Sequence, residues 1–144
     1  MADNGQVKST ASSIDDSSAL CPCQSGQEYA ECCGRFHRGD AAAGTAEELM
    51  RSRYSAFAVG AEDYLLQTWY SETRPTAVEL DPKQKWTGLQ ILGTRKGGPQ
   101  DKMGTVEFTA RFRQDGADHE HHEVSTFVRD DGGSWVYREA LSLE

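Results

Sequence analysis

All four cysteines of the 144-residue chain lie between residues 21 and 33, in the stretch CPCQSGQEYAECC. Cys21 and Cys23 are one residue apart, eight residues intervene, and Cys32 and Cys33 are adjacent. Four thiolates suit a closed tetrahedral zinc site, because zinc prefers soft ligands and a structural site leaves no open position. The spacing therefore predicts one structural zinc ion held by Cys21, Cys23, Cys32 and Cys33.

The residues between and after the cysteines bear on this prediction. Ser25 and Gly26 are expected to form a turn that aims backbone N–H groups at sulfur. Gly34 is expected to permit the sharp bend that two adjacent ligands need. His37 is close enough in sequence to replace Cys33 as the fourth ligand. A disulfide and free thiols are the alternatives to metal, and a reducing cytosol disfavours the disulfide.

Composition limits the class of protein. With 37% hydrophobic residues, the chain can bury one main core. No apolar run approaches the roughly 18 residues that a membrane span needs, and the N-terminus lacks a signal-peptide pattern, so we expect a cytoplasmic protein. A formal net charge of -8 disfavours a nucleic-acid-binding surface over the whole protein. Residues 1–19 are rich in Ser, Asp and Ala and predict a disordered leader.

Positive charge is concentrated just after the last cysteine, at Arg35, His37 and Arg38. On an acidic protein such a cluster favours docking to an acidic protein segment or an RNA phosphate. The alternative is that these side chains only balance thiolate charge and stay solvated.

The elements that must position these residues begin with two helices. Thr45 to Glu48 fits a capping box, and the helix that follows is expected to end at Gly60 in a left-handed turn. A second helix is expected from about Ala61 to Tyr70, ended by Arg74-Pro75 because proline disfavours helix before it.

After Pro82 the apolar residues alternate along the chain, which is typical of strands. TVEFTARFR places Val106, Phe108, Ala110 and Phe112 on one face. KWTGLQILGTR, HHEVSTFVR and SWVYRE predict three further strands, and the turn-forming separators favour consecutive antiparallel pairing. Helices followed by strands indicate an α+β fold, an antiparallel sheet with its N-terminal helices packed on one face.

Arg53 lies on the inward stripe of the first predicted helix, with Leu49, Met50 and Phe57. An unpaired buried charge costs several kcal/mol, so Arg53 either reaches the rim or pairs with a carboxylate, or it anchors an anion in a cavity. The side chains expected to line that cavity with it are Tyr54, Tyr64 and Trp69.

Other candidate chemistry is weaker. His119, His121 and Glu123 share one face of a strand and could hold a second metal, or they form a solvated strand end. The chain has no nucleophile elbow, phosphate-binding glycine loop or HExxH motif, so the sequence names no reaction.

The string CPCQSGQEYAECC resembles the SEC-C motif, a small zinc-binding module named for the C-terminus of the SecA translocase, although Gln24 stands where the motif usually has Gly. The strings CGRFHRGDAAAGTAEELMRSRYSAF, VEFTARFR and STFVRDDGGSWVYREA extend the likeness over about residues 21–140, and there the chain resembles the YchJ-like family. The resemblance implies a SEC-C motif followed by an NTF2-like, cystatin-like α+β domain, in which a curved antiparallel sheet packs on the N-terminal helices.

The expected organisation is therefore a leader at 1–19, a SEC-C motif at 20–38 and an NTF2-like domain at 40–142. Two functions follow from the resemblance. The first, which the resemblance favours because the SEC-C motif of the translocase is a protein-docking element, is a docking or adaptor module that uses the zinc knuckle to bind a protein partner or a ribosome-associated complex. The other is a small-molecule-binding or catalytic NTF2-like cavity, for which the zinc module is structural. A saturated thiolate site has no position for a substrate, which disfavours an enzyme built on the metal itself.

Overall fold

The computed structural model describes residues 19–143, and the described chain is a set of short helices followed by one sheet. The helical elements are a 3-10 turn at Tyr29–Glu31, then α1 at Cys33–His37, α2 at Ala46–Val59 and α3 at Glu62–Gln67. The strands are β1 at Lys85–Lys96, β2 at Met103–Gln114, β3 at Ala117–Arg129 and β4 at Trp135–Leu143. None of the described helices is long and apolar enough to cross a membrane. The predicted disordered leader lies outside the described residues, apart from Ala19.

The four strands pair in the order β1-β2-β3-β4, and every neighbouring pair is antiparallel. This confirms the predicted consecutive pairing. β3 begins earlier than predicted, at Ala117, because Asp115 and Gly116 both have positive φ and form a tight turn. Pairing therefore resumes at once, with Gln114 opposite Ala117.

Helix α2 has the predicted limits. Thr45 Oγ1 accepts a hydrogen bond from the backbone N of Glu48 at 3.1 Å. The Glu48 carboxylate accepts from the backbone N of Gly44 at 2.7 Å, one residue before the partner that a standard capping box uses. Gly60 ends the helix with φ 83°, and its N–H donates to the carbonyl of Ala56.

Helix α3 is shorter than predicted and ends well before the proline. Thr68 Oγ1 donates to the carbonyl of Tyr64 at 2.7 Å, which satisfies one of the last carbonyls of the helix. The chain then pairs with β4: the N–H of Tyr137 donates to Thr68 O, and the N–H of Tyr70 donates to Tyr137 O, both at 2.7 Å. Pairing with the edge strand, and not Pro75, therefore ends this helix.

The core lies between α2 and the sheet, which confirms the α+β class. Val106, Phe108 and Ala110 are buried on the predicted face of β2, against Leu49 and Tyr54 of α2. The four cysteines belong to the same buried cluster. A second cluster lies beside it and contains Phe36, Ala56, Tyr64 and Leu65.

Candidate functional site

The sulfur atoms of Cys21, Cys23, Cys32 and Cys33 all lie within 4.8 Å of one another, and all four residues are buried. Tetrahedral zinc with bonds of about 2.3 Å separates its sulfur ligands by roughly 3.8 Å. The Sγ atoms of Cys23 and Cys32 are 3.7 Å apart, which fits this spacing. The four-cysteine cluster could therefore hold one metal ion. No other group of three or more His, Cys, Asp or Glu ligand atoms of this kind occurs within residues 19–143.

The loop between the cysteine pairs is shaped by two residues in left-handed conformations, Gln24 with φ 66° and Gly26 with φ 90°. Gln24 stands where SEC-C motifs usually have glycine, and its backbone adopts the conformation that glycine would favour. Its side chain supplies a contact that glycine lacks, because Nε2 donates to the carbonyl of Thr87 in β1 at 3.2 Å. The substitution therefore ties the loop to the sheet.

Gly34 has a different role from the predicted one. The sharp bend lies at Cys32, with φ -112° and ψ -109°, whereas Gly34 is inside α1. A Cβ atom at Gly34 would lie 2.7 Å from the carbonyl oxygen of Tyr29. Glycine is needed there for close packing of α1 against the 3-10 turn, and the prediction that it permits the bend is wrong.

Two hydroxyl groups lie within hydrogen-bond distance of the sulfur atoms. Ser25 Oγ lies 3.2 Å from Cys32 Sγ, a side-chain contact, whereas the sequence predicts that this turn aims backbone N–H groups at sulfur. Ser55 Oγ of α2 lies 3.4 Å from Cys21 Sγ. Arg51, which the sequence analysis missed, donates from Nη1 to the carbonyl of Cys23 at 2.9 Å. Such donors reduce the cost of collecting thiolate charge at one point.

The thiols are close enough to share protons. Hydrogen bonds from Cys23 and Cys33 lower the pKa of Cys21, whereas the hydrogen bond to Cys21 raises the pKa of Cys33. Burial raises the pKa of Cys32. The protonation states of Cys21 and Cys33 therefore depend on each other, which is the arrangement that a bound cation resolves by replacing protons.

His37 is engaged away from the sulfur atoms. Its Nε2–H donates to the carbonyl of Ser52 at 2.8 Å, so Nδ1 carries the lone pair and accepts from the Tyr29 hydroxyl at 2.6 Å. Burial lowers the pKa of His37, which favours this neutral form. Both ring nitrogens are used, and this geometry favours Cys33 over His37 as the fourth ligand.

The two arginines of the predicted binding surface each have a carboxylate partner. Arg38 Nε is 2.9 Å from Asp40, and Arg35 Nη2 is 4.0 Å from Glu48. Arg35 also donates from Nε to the carbonyl of Cys32 and lies over the ring of Phe36. His37 is hydrogen bonded to Tyr29 and Ser52 within the chain. Arg35, His37 and Arg38 therefore do not form one free basic surface.

The second feature of the site is a cavity of about 380 Å³ between α2 and the sheet, which we call the aromatic cavity. Met50, Arg53, Tyr54 and Phe57 of α2 face it at helical spacing. Alternate residues of β2 and β3 form the opposite wall. Its aromatic lining consists of Tyr54, Phe57, Trp69, Trp86, Phe108, Phe112 and Tyr137.

Arg53 is the cation of this cavity and is only 4% exposed. Its Nη1 donates to the carbonyl of Leu65 at 2.8 Å and to Thr68 Oγ1 at 2.7 Å. The guanidinium carbon lies 5.0 Å from the ring centroid of Trp69 and 4.7 Å from that of Tyr137, within cation–π range. Burial lowers the pKa of Arg53 to about 10, so it stays protonated at neutral pH.

A carboxylate, Glu123, lies on the β3 wall within a hydrogen-bond network. His121 Nε2 is 2.9 Å from Glu123 Oε1, and the Tyr137 hydroxyl donates to Oε2 at 3.3 Å. Ser125 Oγ also donates to Oε2. Burial raises the pKa of Tyr137, so its hydroxyl keeps its proton and remains a donor.

The structure places only some of the predicted cavity residues in the cavity. It also brings only part of the predicted second metal site together. Tyr54 and Trp69 line the cavity with Arg53, but Tyr64 does not. It lies in the second cluster, where its hydroxyl is 2.7 Å from Ser52 Oγ. His119 stacks on Phe112, with ring centroids 5.1 Å apart, and stands apart from the network of His121 and Glu123.

A cysteine-rich SEC-C module that precedes an NTF2-like domain defines the class of protein. Residues 18–35 match the SEC-C motif, and residues 45–140 match the family described as YchJ, middle NTF2-like domain. The chain belongs to this YchJ-like family, whose curated members among its relatives are named UPF0225 proteins.

The similarity extends over nearly the whole described chain. A UPF0225 protein of Streptomyces coelicolor is 50% identical, over 86% of this chain and 96% of its own length. One from Chromobacterium violaceum is 49% identical, over 85% and 93%. The solution structure of a SEC-C motif containing protein from Rhodopseudomonas palustris has a TM-score of 0.73 and 34% identity, and covers 86% of this chain and 98% of that chain. A crystal structure of a SEC-C motif containing protein from Psychrobacter arcticus has a TM-score of 0.72 and 29% identity, and covers 85% and 82%.

Proposed function

We propose that this protein binds a small, largely apolar molecule in the aromatic cavity, and that a zinc ion on the four-cysteine cluster fixes one wall of that cavity. The observation that carries the proposal is the cavity itself. Its volume of about 380 Å³ and its aromatic lining with a few polar groups are typical of small-molecule sites.

The cysteine module, residues 19–38, supports this role through contacts beside two cavity residues. Ser55, which contacts Cys21, follows Tyr54 on α2. Thr87, which accepts from Gln24, follows Trp86 on β1. Tyr54 and Trp86 both line the cavity, and their rings meet edge to face with centroids 5.7 Å apart. A metal that holds the module together therefore also holds these two rings.

Zinc is the proposed metal because four buried cysteines form a soft, closed ligand set. A module of about twenty residues has too small a core to fold unaided, so the metal supplies the energy that orders it. In this proposal the ion has a structural role, since four protein ligands leave no open position for a substrate.

Docking to a protein partner or a ribosome-associated complex through Arg35, His37 and Arg38 stays a prediction. The contacts of these side chains add nothing in its favour, because each is already used within the chain. A cytoplasmic location also stays a prediction, because only the sequence pattern supports it.

The cavity proposal can be tested with 2-naphthamide, a neutral aromatic probe, by isothermal titration calorimetry. We expect saturable binding with one site per chain. Ala110→Phe should abolish it, because a phenyl group at this 3% exposed position of the wall fills the space. Leu92→Phe is the matched control: Leu92 is 48% exposed and does not line the cavity, so binding should be unchanged.

Two results would contradict the proposal. One is no binding of the probe by the wild-type protein. The other is equal binding by wild type and by a folded Ala110→Phe variant. Circular dichroism establishes folding, and if Ala110→Phe does not fold, Phe112→Ala replaces it and should weaken binding by removing an aromatic wall.

A further inference from the structure

We propose that the aromatic cavity selects ligands that carry a single carboxylate on an aromatic or other planar apolar body, and that Arg53 binds this carboxylate through Nε and Nη2. The inference rests on the proposed function, because it names the class of molecule that the cavity takes. It depends on which guanidinium donors the protein itself uses.

Only one of the three guanidinium nitrogens of Arg53 donates a hydrogen bond within residues 19–143. Nη1 donates to Leu65 O and to Thr68 Oγ1. Among the described residues, Nε and Nη2 have no hydrogen-bond acceptor, and Arg53 has no ion pair. The only fully buried side-chain nitrogen or oxygen without a partner in this part of the chain is Trp69 Nε1. The unpaired donors of Arg53 therefore keep contact with the open space of the cavity.

A ligand that fills the cavity removes these donors from water, and a buried guanidinium with unpaired donors is costly, so a ligand with an acceptor at this point is favoured over one without it. The rings of Trp69 and Tyr137 stabilise the charge in part and fix the plane of the guanidinium. Nε–H and one N–H of Nη2 lie side by side and point in the same direction. This edge matches the two oxygens of a carboxylate, which it can bind with two parallel hydrogen bonds.

The charge of the lining limits the ligand to a monoanion. Among the residues that the structure describes, Arg53 is the only Arg or Lys that lines the cavity, and Glu123 is a carboxylate on the opposite wall. Three protein donors already satisfy Glu123, so it neither pairs with Arg53 nor needs a ligand donor. Its negative charge still opposes a second anion, which disfavours a phosphate dianion more than a carboxylate. Aromatic rings on both walls then favour a flat body.

The test compares two probes of the same shape, 2-naphthoate and 2-naphthamide, by calorimetry at neutral pH. Wild type should bind the carboxylate about tenfold or more tightly than the amide, the scale of a charged hydrogen bond. Arg53→Lys keeps the positive charge but removes the two parallel N–H donors, and should reduce this preference to about threefold or less. The matched control is Arg111→Lys, since Arg111 pairs with Glu120 on the exposed face of β2 and does not line the cavity, and it should keep the wild-type preference.

A second variant keeps the inference testable if Arg53→Lys does not fold. Glu123→Gln removes the opposing charge and should increase the preference for 2-naphthoate. Equal affinity of wild type for the two probes would overturn the carboxylate assignment and leave the cavity proposal standing. A folded Arg53→Lys variant with an unchanged preference would also overturn it. If neither probe binds, the proposed function fails together with this inference.

Discussion

His37 shows how a residue with the right chemistry for a metal ligand can be used otherwise. Its ring lies between Tyr29 and Tyr64, with centroid distances of 5.6 Å and 4.7 Å, and both nitrogens are hydrogen bonded. The imidazole joins α1 to α2 through Ser52. Its function is therefore to fix the cysteine module on the helix that carries Arg53.

This role predicts a pH dependence of stability. Burial, the main cause, lowers the pKa of His37 below its ordinary value of 6.5, so the unfolded chain binds a proton more readily than the folded protein does. The stability contributed by neutral His37 is therefore complete above pH 6.5 and is lost as the pH falls through the folded pKa. The other titratable groups that face the ring are Tyr29 and Tyr64, with Cys21 farther away.

The measurement is urea unfolding of wild type and His37→Gln at pH values from about 7.5 to about 5.5, a range that spans histidine titration. The free energy of unfolding of wild type should fall more steeply below pH 6.5 than that of the variant. The variant should keep its metal, because Gln at this position removes no sulfur ligand. Parallel pH profiles, or loss of metal from His37→Gln, would show that this account of His37 is wrong.

At the scale of elements, α2 is the helix that joins the parts of the molecule. Met50, Arg53 and Phe57 face the cavity, whereas Ser52 and Ser55 contact His37 and Cys21. Because one short helix carries both sets, disorder in the cysteine module should reach the cavity wall. Two of the module's contacts with the rest of the chain, those of Ser55 and of Gln24, lie beside the cavity residues Tyr54 and Trp86.

Removal of the metal should therefore weaken ligand binding in the aromatic cavity, although the cysteines do not line that cavity. We expect wild type to contain one zinc per chain by elemental analysis and Cys23→Ser to contain much less, since Cys23 is fully buried among the other sulfur atoms. Cys23→Ser should bind 2-naphthamide several-fold more weakly while the sheet remains folded.

Ser25→Ala is the control for this experiment, because it removes one hydrogen bond to Cys32 and no ligand. It should keep both zinc and affinity. Full zinc content in Cys23→Ser would refute the ligand assignment, and wild-type affinity in a zinc-free Cys23→Ser variant would refute the link through α2.

At the scale of the whole molecule, the regular parts of the fold could be predicted from local pattern. The alternation of Val106, Phe108 and Ala110 identified the buried face of β2, and Thr45 and Gly60 marked the ends of α2. These features depend on neighbours in the chain, so one sequence reveals them. The end of α3 could not be predicted in this way, because it is set by pairing with Tyr137 in the edge strand.

The candidate site was predictable to a similar extent. The spacing of the cysteines predicted the four-cysteine cluster, and the helical position of Arg53 predicted that its side chain faces the sheet. Trp86 and Tyr137 were missed because they reach the cavity only through the register of the sheet. His121 and Glu123 were placed on one face correctly, but their network with Ser125 depends on side-chain geometry that alternation alone does not give.

The central claim is that the aromatic cavity is the ligand site, and the location of a bound probe tests it most directly. In a solution NMR experiment with 2-naphthamide, we expect intermolecular nuclear Overhauser effects from the naphthalene ring to the methyl group of Ala110 and to the rings of Trp86 and Phe112, which share the cavity wall. Contacts confined to exposed apolar side chains such as Leu92 and Leu141, with none to Ala110, would contradict the account.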